Sequence, residues 1–215
     1  RAVAEMTLLL MLGALRRIAY FDAETRAGRG WSQPPALQDG LFELGGRKVG
    51  LVGYGAVPKL LAPVLQAMGC EVLYTARAPK PKAIGTFRPL EALLAEADVV
   101  SLHIPETLET RGLINAAAIA RMKPGAILVN TARGGLVDQP ALVAALQSGH
   151  LAAAGLDVFA AEPLDPADPL LGLPNVVLAP HVAWLSNGTF ARSFSIAAEN
   201  CQRFAAGKPL LNRVA

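Results

Sequence analysis

Several features that define a protein class are scarce in this sequence. Only two cysteines, Cys70 and Cys201, occur in 215 residues, far apart and without CxxC or Cys/His spacing. This argues against a zinc site and against a disulfide framework, so we expect buried, reduced thiols and no bound metal. Charged residues make up only 17% of the chain, against 53% hydrophobic residues. That composition excludes a disordered protein and permits one globular domain with a full core.

The chain also has no large excess of positive or negative charge and few long hydrophobic runs. The net charge is +3 and the basic residues are scattered, so the sequence shows no basic cluster of the kind that binds nucleic acid. An apolar run after Arg1 imitates a signal peptide, but it is short, Arg16 and Arg17 follow it, and no small-residue cleavage pattern appears. We therefore predict a long packing helix over residues 3 to 26 of a cytoplasmic protein, with neither nucleic acid nor membrane among its partners.

From Lys48 onward, short apolar runs alternate with segments of helical period. The runs are KVGLV, EVLYT, DVVSLHI, AILVN, AAAGLDV and NVVLA, and the helical segments include LEALLAEA, AAAIARM and ALVAALQSG. Continuous apolar strands separated by helices are typical of a parallel sheet covered on both faces. The prediction is an α/β fold with a doubly wound, Rossmann-like sheet, followed by an amphipathic helix within residues 188 to 210.

The stretch GYGAVP, residues 53 to 58, is close to a dinucleotide-binding turn. It follows a predicted strand and opens a predicted helix, which is the context that a GxGxxG turn requires. Gly53 would make the tight turn, and Gly55 would let the backbone approach a pyrophosphate at the helix N-terminus. Pro58 replaces the third glycine and removes one N–H, but the first helical turn tolerates proline. We expect the fold to survive, with weaker phosphate contacts.

The choice of nucleotide depends on the end of the second strand. An acidic residue there would bind a ribose 2′-hydroxyl, but VLYTARAPKPK contains none. Ala76 occupies the acidic position, Arg77 follows it, and Lys80 and Lys82 lie close behind. A guanidinium can bind a 2′-phosphate with two hydrogen bonds, so NADPH is favoured over NADH, which stays possible. The alternative is a basic surface loop without a ligand.

Three further stretches carry chemically active side chains: LVNTARGGLVD, GLDVFAAEPL and LAPHVAW. Each begins in a predicted strand and ends in a loop. Arg133, Glu162 and His181 could therefore converge at the carboxyl edge of the sheet, where ligands bind. Taken singly, each has a structural alternative: a surface cation, a carboxylate at a helix start, and a capping or core histidine.

Together and in this order, these stretches resemble the D-isomer-specific 2-hydroxyacid dehydrogenases. The resemblance runs from VAEMTLLLMLGALRR to the final AAEN, and YTARAPKP resembles the NADPH-using glyoxylate and hydroxypyruvate reductases. It implies that Arg133 binds the carboxylate and carbonyl of a 2-keto acid, that His181 is the acid/base, and that Glu162 is its partner. A histidine can exchange a proton near neutral pH, and a carboxylate behind its ring orients it.

The resemblance also implies a set of cofactor-binding residues, with Asp157 holding the nicotinamide carboxamide. The set is Gly53, Gly55, Ala56, Val57, Thr75, Arg77, Pro105, Thr110, Thr131, Ala132, Asp157 and Ala183. Trp184 resembles the tryptophan of the C-terminal binding protein corepressors and would contact an apolar substrate tail. Packing in the core or a dimer interface is the alternative for Trp184, and we interpret His103 as structural packing beside the cofactor.

The resemblance implies a substrate-binding domain before the nucleotide-binding domain, and we expect this chain to lack it. We expect a dimerisation helix and arm over residues 1 to 45, the dinucleotide-binding domain over 46 to 187, and a closing helix with an exposed apolar face over 188 to 215. The apolar run from Met6 to Leu15 is difficult to bury from solvent in a monomer, which favours a homodimer. Such a chain would bind cofactor better than it turns over substrate. The alternative function is a nucleotide-binding dimerisation module for partner recognition, without turnover.

Overall fold

A seven-stranded, fully parallel sheet forms the centre of the molecule, in the order β3-β2-β1-β4-β5-β6-β7. The structure is a computed structural model and describes residues 1–31 and 40–213. The strands are β1 (Lys48–Val52), β2 (Glu71–Thr75), β3 (Thr86–Phe87), β4 (Val99–Leu102), β5 (Ala126–Asn130), β6 (Leu151–Leu156) and β7 (Val176–Leu178). The order reverses between β1 and β4, and ligands of doubly wound sheets bind outside the carboxyl ends of the strands at that point.

The α-helices connect and flank these strands. They are α1 (Ala2–Leu15), α2 (Ile18–Arg26), α3 (Ala56–Ala67), α4 (Leu90–Glu96), α5 (Ala116–Arg121), α6 (Gln139–Gln147) and α7 (Asn187–Ala205). The single helix predicted over residues 3 to 26 is wrong, because Arg17 adopts φ 48° and divides it into α1 and α2. The connection predicted after α2 falls partly on residues 32–39, which lie outside the described residues.

The doubly wound α/β prediction is confirmed, with all six predicted strands present. Every residue of β4 and β5 is buried, as expected for strands covered by helices on both faces. Strand β3 was not predicted from the sequence, because two residues carry no apolar period of their own. No helix within residues 1–31 and 40–213 has the length and apolarity needed to cross a bilayer.

Helix α1 packs onto the sheet of its own chain. Leu10, Met11 and Leu15 are almost fully buried and share a core with Leu51 of β1. A Cβ added to Gly155 of β6 would lie 2.8 Å from the Leu10 carbonyl oxygen, so helix and strand are in close backbone contact. Most of the apolar run of α1 is therefore buried or partly buried within one chain, although Leu9 is 60% exposed. The homodimer stays a prediction.

Helix α7 buries none of its residues, as the predicted exposed apolar face requires. Phe194 and Phe204 are 73% and 79% exposed. The prediction of two buried thiols is correct for Cys70 and wrong for Cys201, because Cys201 lies on this exposed helix. Cys70 is buried after α3, where its Sγ donates to the Leu44 carbonyl oxygen at 3.4 Å.

Candidate active site at the carboxyl edge of the sheet

The turn after β1 has the geometry of a dinucleotide-binding turn. Gly53 adopts φ 102°, and a Cβ there would lie 2.7 Å from the His103 carbonyl oxygen, so only glycine fits. Gly55 caps α3 and has open space where a Cβ would be. Pro58 lies in the first turn of α3, where the missing N–H interrupts no helical hydrogen bond. As predicted, the fold tolerates the exchange of the third glycine.

A cleft of about 410 Å³ opens at the N-terminus of α3. The predicted cofactor residues that line it are Gly55, Ala56, Val57, Pro105, Thr131 and Ala132. Arg133 and His103 also line it. Helix N-terminal amides and open space beside a glycine are what a pyrophosphate needs for close approach. The predicted residues Gly53, Thr75, Arg77, Thr110, Asp157 and Ala183 lie outside this lining.

Arg77 lies just after β2, beside the dinucleotide turn, where Gly53 N–H donates to the Thr75 carbonyl oxygen at 3.0 Å. Arg77 is exposed and makes no hydrogen bond or ion pair with any residue in the described part of the chain. Lys80 and Lys82 in the same loop line a second cleft together with Lys59 of α3. This edge of the site is therefore strongly basic.

The loop after β4 forms another wall of the cofactor cleft. Thr110 donates its hydroxyl to the Pro105 carbonyl oxygen at 2.8 Å, so it shapes the loop from outside the cleft lining. His103 Nε2 lies 3.0 Å from Ser101 Oγ. Burial lowers the pKa of His103 to about 3, so its imidazole is neutral. This environment agrees with the structural role expected for His103.

Arg133 is presented by a tight turn after β5. Asn130 Nδ2 donates to the Arg133 carbonyl oxygen at 2.8 Å, and Asn130 Oδ1 accepts from Ala132 N at 3.0 Å. The Thr131 hydroxyl contacts Thr7 Oγ1 of α1 at 2.8 Å. Thr7 and Asn130 were missed as site residues, and the only sequence signal was a polar residue in each of two apolar segments. Both are almost fully buried, so they hold the turn without touching solvent.

His181 and Glu162 form a pair. His181 Nδ1 lies 2.6 Å from Glu162 Oε2, while Glu162 Oε1 accepts from Phe159 N at 3.0 Å. Burial alone would raise the pKa of Glu162, but the hydrogen bonds from His181 and Phe159 and the charges of His181 and Arg133 together lower it. The carboxylate is therefore ionised at neutral pH and keeps the Nδ1 proton of His181.

The loop of Arg133 meets the loop of Glu162 through the backbone. A Cβ on Gly134 would overlap the Phe159 carbonyl group, three residues before Glu162. His181 Nε2 makes no hydrogen bond within the described residues and is left available. The three side chains predicted to converge therefore lie at the same edge of the sheet, beside the cofactor cleft.

Asp157 organises the backbone that carries His181. Its fully buried carboxylate accepts from Val182 N at 2.9 Å and from Ala183 N at 3.0 Å, and its carbonyl oxygen accepts from His181 N at 2.8 Å. The sequence did not indicate this role, and the predicted contact with the nicotinamide stays a prediction. Trp184 follows in the same loop and donates Nε1–H to the His181 carbonyl oxygen at 3.0 Å.

Asp157→Asn is expected to destabilise the chain by about 1–3 kcal/mol, because one buried acceptor becomes a donor facing a backbone N–H. Urea unfolding of the variant measures this loss. Asp22→Asn is the matched control, since the one partner of the Asp22 side chain within residues 1–31 and 40–213 is Arg26, in an exposed ion pair that contributes little. Equal unfolding midpoints for Asp157→Asn and the unchanged chain would contradict the organising role.

The family model described as "D-isomer specific 2-hydroxyacid dehydrogenase, NAD binding domain" matches residues 8–183. The chain belongs to this family. The match begins within α1 and ends after His181, so it includes the dinucleotide turn and the Arg133, Glu162 and His181 loops. As a member of the family, the chain is an NAD-binding domain with a Rossmann-like sheet.

Curated and solved relatives agree with the assignment. A glyoxylate reductase of Aeropyrum pernix is 44% identical over 215 residues, covering 96% of this chain and 64% of the relative. A D-lactate dehydrogenase with NAD+ from Lactobacillus jensenii has a TM-score of 0.90 at 32% identity, covering 100% of this chain and 68% of that one. An acyclic imino acid reductase in complex with NADPH and D-Arg has a TM-score of 0.89 at 30% identity, covering 100% and 67%.

Proposed function

We propose that this chain is the cofactor-binding part of an oxidoreductase that transfers a hydride between a nicotinamide cofactor and a 2-keto or 2-hydroxy acid. The observation that carries the proposal is the 2.6 Å contact between His181 and Glu162 beside Arg133, at the edge that holds the dinucleotide cleft. The chain spans about 64% of the length of the glyoxylate reductase that it matches. Activity, substrate and partners are therefore proposals for the whole protein.

Each of the three side chains has a role in this proposal. A bound nicotinamide would supply or accept the hydride. Arg133 binds the substrate carboxylate and stabilises charge on the carbonyl oxygen, because its guanidinium is exposed and permanently charged. His181 holds the exchangeable proton at Nε2, and Glu162 keeps the opposite nitrogen of the ring occupied. An apolar cavity of about 390 Å³ between Phe159 and Pro180 adjoins this pair and supports a substrate with an apolar side chain.

The chain's residues fit a dinucleotide. Gly55 leaves open space at the start of α3, and the amides of that first turn are available to an anion. Pro58 contributes no N–H, which supports the expectation of weaker phosphate contacts. Asp157 and Ala183 lie next to His181 in the loop where the nicotinamide would be held.

NADPH is proposed as the preferred cofactor because Arg77 is exposed and unpaired among the described residues, with no acidic side chain from 72 to 82. Arg77→Ala is expected to reduce the ratio of NADPH to NADH affinity about 10- to 100-fold, because the charge-assisted hydrogen bonds to the 2′-phosphate would be lost. Titration with each nucleotide measures the ratio. Arg121→Ala is the matched control, because Arg121 ends α5 near the opposite edge of the sheet. A ratio that favours NADH and does not respond to Arg77→Ala would overturn the proposal.

We also propose that the protein is a cytoplasmic homodimer. Support for the dimer comes from exposed apolar side chains of α3, next to the apolar run of α1. Leu60 and Val64 of α3 and Met68 after it are exposed along one side of the helix. Leu60 and Val64 line an apolar groove of about 220 Å³ together with Leu8 of α1. Two unpaired cysteines fit a reducing compartment.

The proposed reaction is tested by assaying glyoxylate, hydroxypyruvate and phenylpyruvate with NADPH and with NADH, while nucleotide binding is measured separately. Oxidation of NADPH with at least one keto acid is expected. Tight nucleotide binding without turnover of any of the three would overturn the enzyme proposal for this chain. That result would favour the alternative, a nucleotide-binding dimerisation module without turnover.

A further inference from the structure

We propose that Trp184 is a positioning residue that fixes the backbone of His181 and thereby aims its ring at Glu162. The inference rests on the proposed acid/base role of His181. Its basis is the hydrogen bond from Trp184 Nε1–H to the His181 carbonyl oxygen, 3.0 Å long. Trp184 acts through His181 and needs no contact with the reacting atoms.

His181 adopts a backbone conformation that its neighbours must hold in place. Its φ of 56° lies in the left-handed region, which residues with a Cβ seldom occupy. Such a conformation persists only when the surrounding contacts enforce it. A relaxed backbone would carry the imidazole away from Glu162, because the direction of the Cβ changes with φ.

Three residues contact the backbone at His181: Asp157, Ala179 and Trp184. His181 N donates to the carbonyl oxygens of Asp157 at 2.8 Å and of Ala179 at 3.1 Å, and the Asp157 carboxylate accepts from the amides of Val182 and Ala183. On the carboxyl side, the His181 carbonyl oxygen accepts from Trp184. Removing the indole N–H would free that carbonyl while leaving every contact of Asp157 in place.

The position of the indole is itself fixed by the start of α7. The Trp184 ring packs edge to face on Phe190, with centroids 5.8 Å apart and an interplanar angle of 77°. Ser186 caps α7 by accepting from Thr189 N at 3.2 Å, which sets the first turn that carries Phe190. Contacts therefore run without a break from the first turn of α7 to the proposed acid/base.

The contacts of Trp184 are unlike those of a core residue. Trp184 is 46% exposed, so burial alone does not account for its placement. Because the indole N–H donates to the His181 carbonyl oxygen, a substrate could contact only the apolar surface of the ring. The expected contact with an apolar substrate tail is compatible with this geometry, whereas a hydrogen bond from the indole to the substrate is not.

The inference is tested by ¹⁵N NMR of the histidine side chains at alkaline pH, where imidazoles are neutral. The hydrogen bond that one ring nitrogen makes decides which nitrogen carries the proton. In the unchanged chain we expect His181 to be protonated at Nδ1, facing Glu162. In Trp184→Phe we expect the Nδ1 signal to shift toward the unprotonated value and the Nε2 signal toward the protonated value. Only three histidines are present, and His181→Gln assigns the signal.

Two controls separate positioning from general loss of structure. Trp31→Phe changes the other tryptophan, which is 94% exposed, and should leave the His181 signals unchanged. In that background, replacing Trp184 by its benzothienyl isostere removes the N–H and keeps the ring shape. We expect the isostere to shift the His181 signals as Trp184→Phe does, with the His103 and His150 signals unmoved.

The inference is overturned if the chain with the isostere at position 184 gives the same His181 ¹⁵N signals as the unchanged chain. This outcome is decisive whether or not Trp184→Phe folds. The measurement requires no turnover. A chain that fails to reduce any keto acid can still show the tautomer shift, and an active chain can lack it. Failure of the positioning role is thus distinguishable from failure of the proposed reaction.

Discussion

Gly134→Ala is expected to lower the stability of the chain by about 3 kcal/mol or more, beyond the usual cost of an extra methyl group in a packed site. The physical reason is that the new Cβ would overlap the Phe159 carbonyl group. The Phe159 carbonyl group is backbone and the position of the Cβ is fixed by the backbone of residue 134, so no side-chain rotation can make room. For a chain of this size, that loss corresponds to a fall of about 6–12 °C in Tm. Thermal unfolding followed by circular dichroism measures it.

Gly172→Ala is the matched control, because a Cβ at Gly172 would meet no atom within 4 Å. Its Tm should be close to that of the unchanged chain. Any Gly134→Ala protein that folds should also bind a keto acid more weakly, since the loops of Arg133 and Glu162 would be forced apart. A Tm equal to that of Gly172→Ala would show that these two loops are not in direct backbone contact.

His181→Gln is expected to lower kcat for keto acid reduction about 10²- to 10⁴-fold, the contribution of a positioned general acid. The affinity for nucleotide should be unchanged, because His181 does not line the cofactor cleft. Glutamine offers hydrogen bonds but cannot exchange a proton near neutral pH. Steady-state kinetics with the keto acid that the unchanged chain reduces fastest, together with nucleotide titration, separate the two effects.

His150→Gln is the control for loss of a histidine. His150 Nε2 contacts the Ile119 carbonyl oxygen at 2.9 Å, before the start of β6 and away from the carboxyl edge. It should retain the kcat of the unchanged chain. Glu162→Gln should also lower kcat, because the carboxylate that orients the ring would be lost. If His181→Gln retained kcat within a few-fold, the acid/base would have to be another group.

The fold was predictable because its signals are local and periodic. Strands such as AILVN, buried on both faces, are continuously apolar, and the segments between them follow the helical period. The dinucleotide turn was predictable because a strand, two glycines and a helix follow each other within a few residues. The division of the first helix was not, because neither neighbour of Arg17 marks it as a left-handed residue.

The candidate site was predictable in its members and only partly in its arrangement. Arg133, Glu162 and His181 stood out as polar side chains in the loops that follow apolar strands. Asn130 and Thr7 did not stand out, because single polar residues in apolar segments have no distinctive spacing. Their role in holding the turn depends on contacts between residues far apart in the chain. Thr7, for example, contacts Thr131, which is 124 residues distant.

The sequence by itself determined the α/β class, the order of six of the seven strands along the chain, and the kinds of side chain that gather at one edge of the sheet. These follow from periodicity and from the rule that parallel strands present their carboxyl ends together. Only the tertiary structure decided that α1 covers its own sheet, that Asp157 binds the His181 loop, and that the indole of Trp184 points back at His181. Those features depend on distances between segments remote in the chain and on a left-handed φ at His181, which local patterns do not encode.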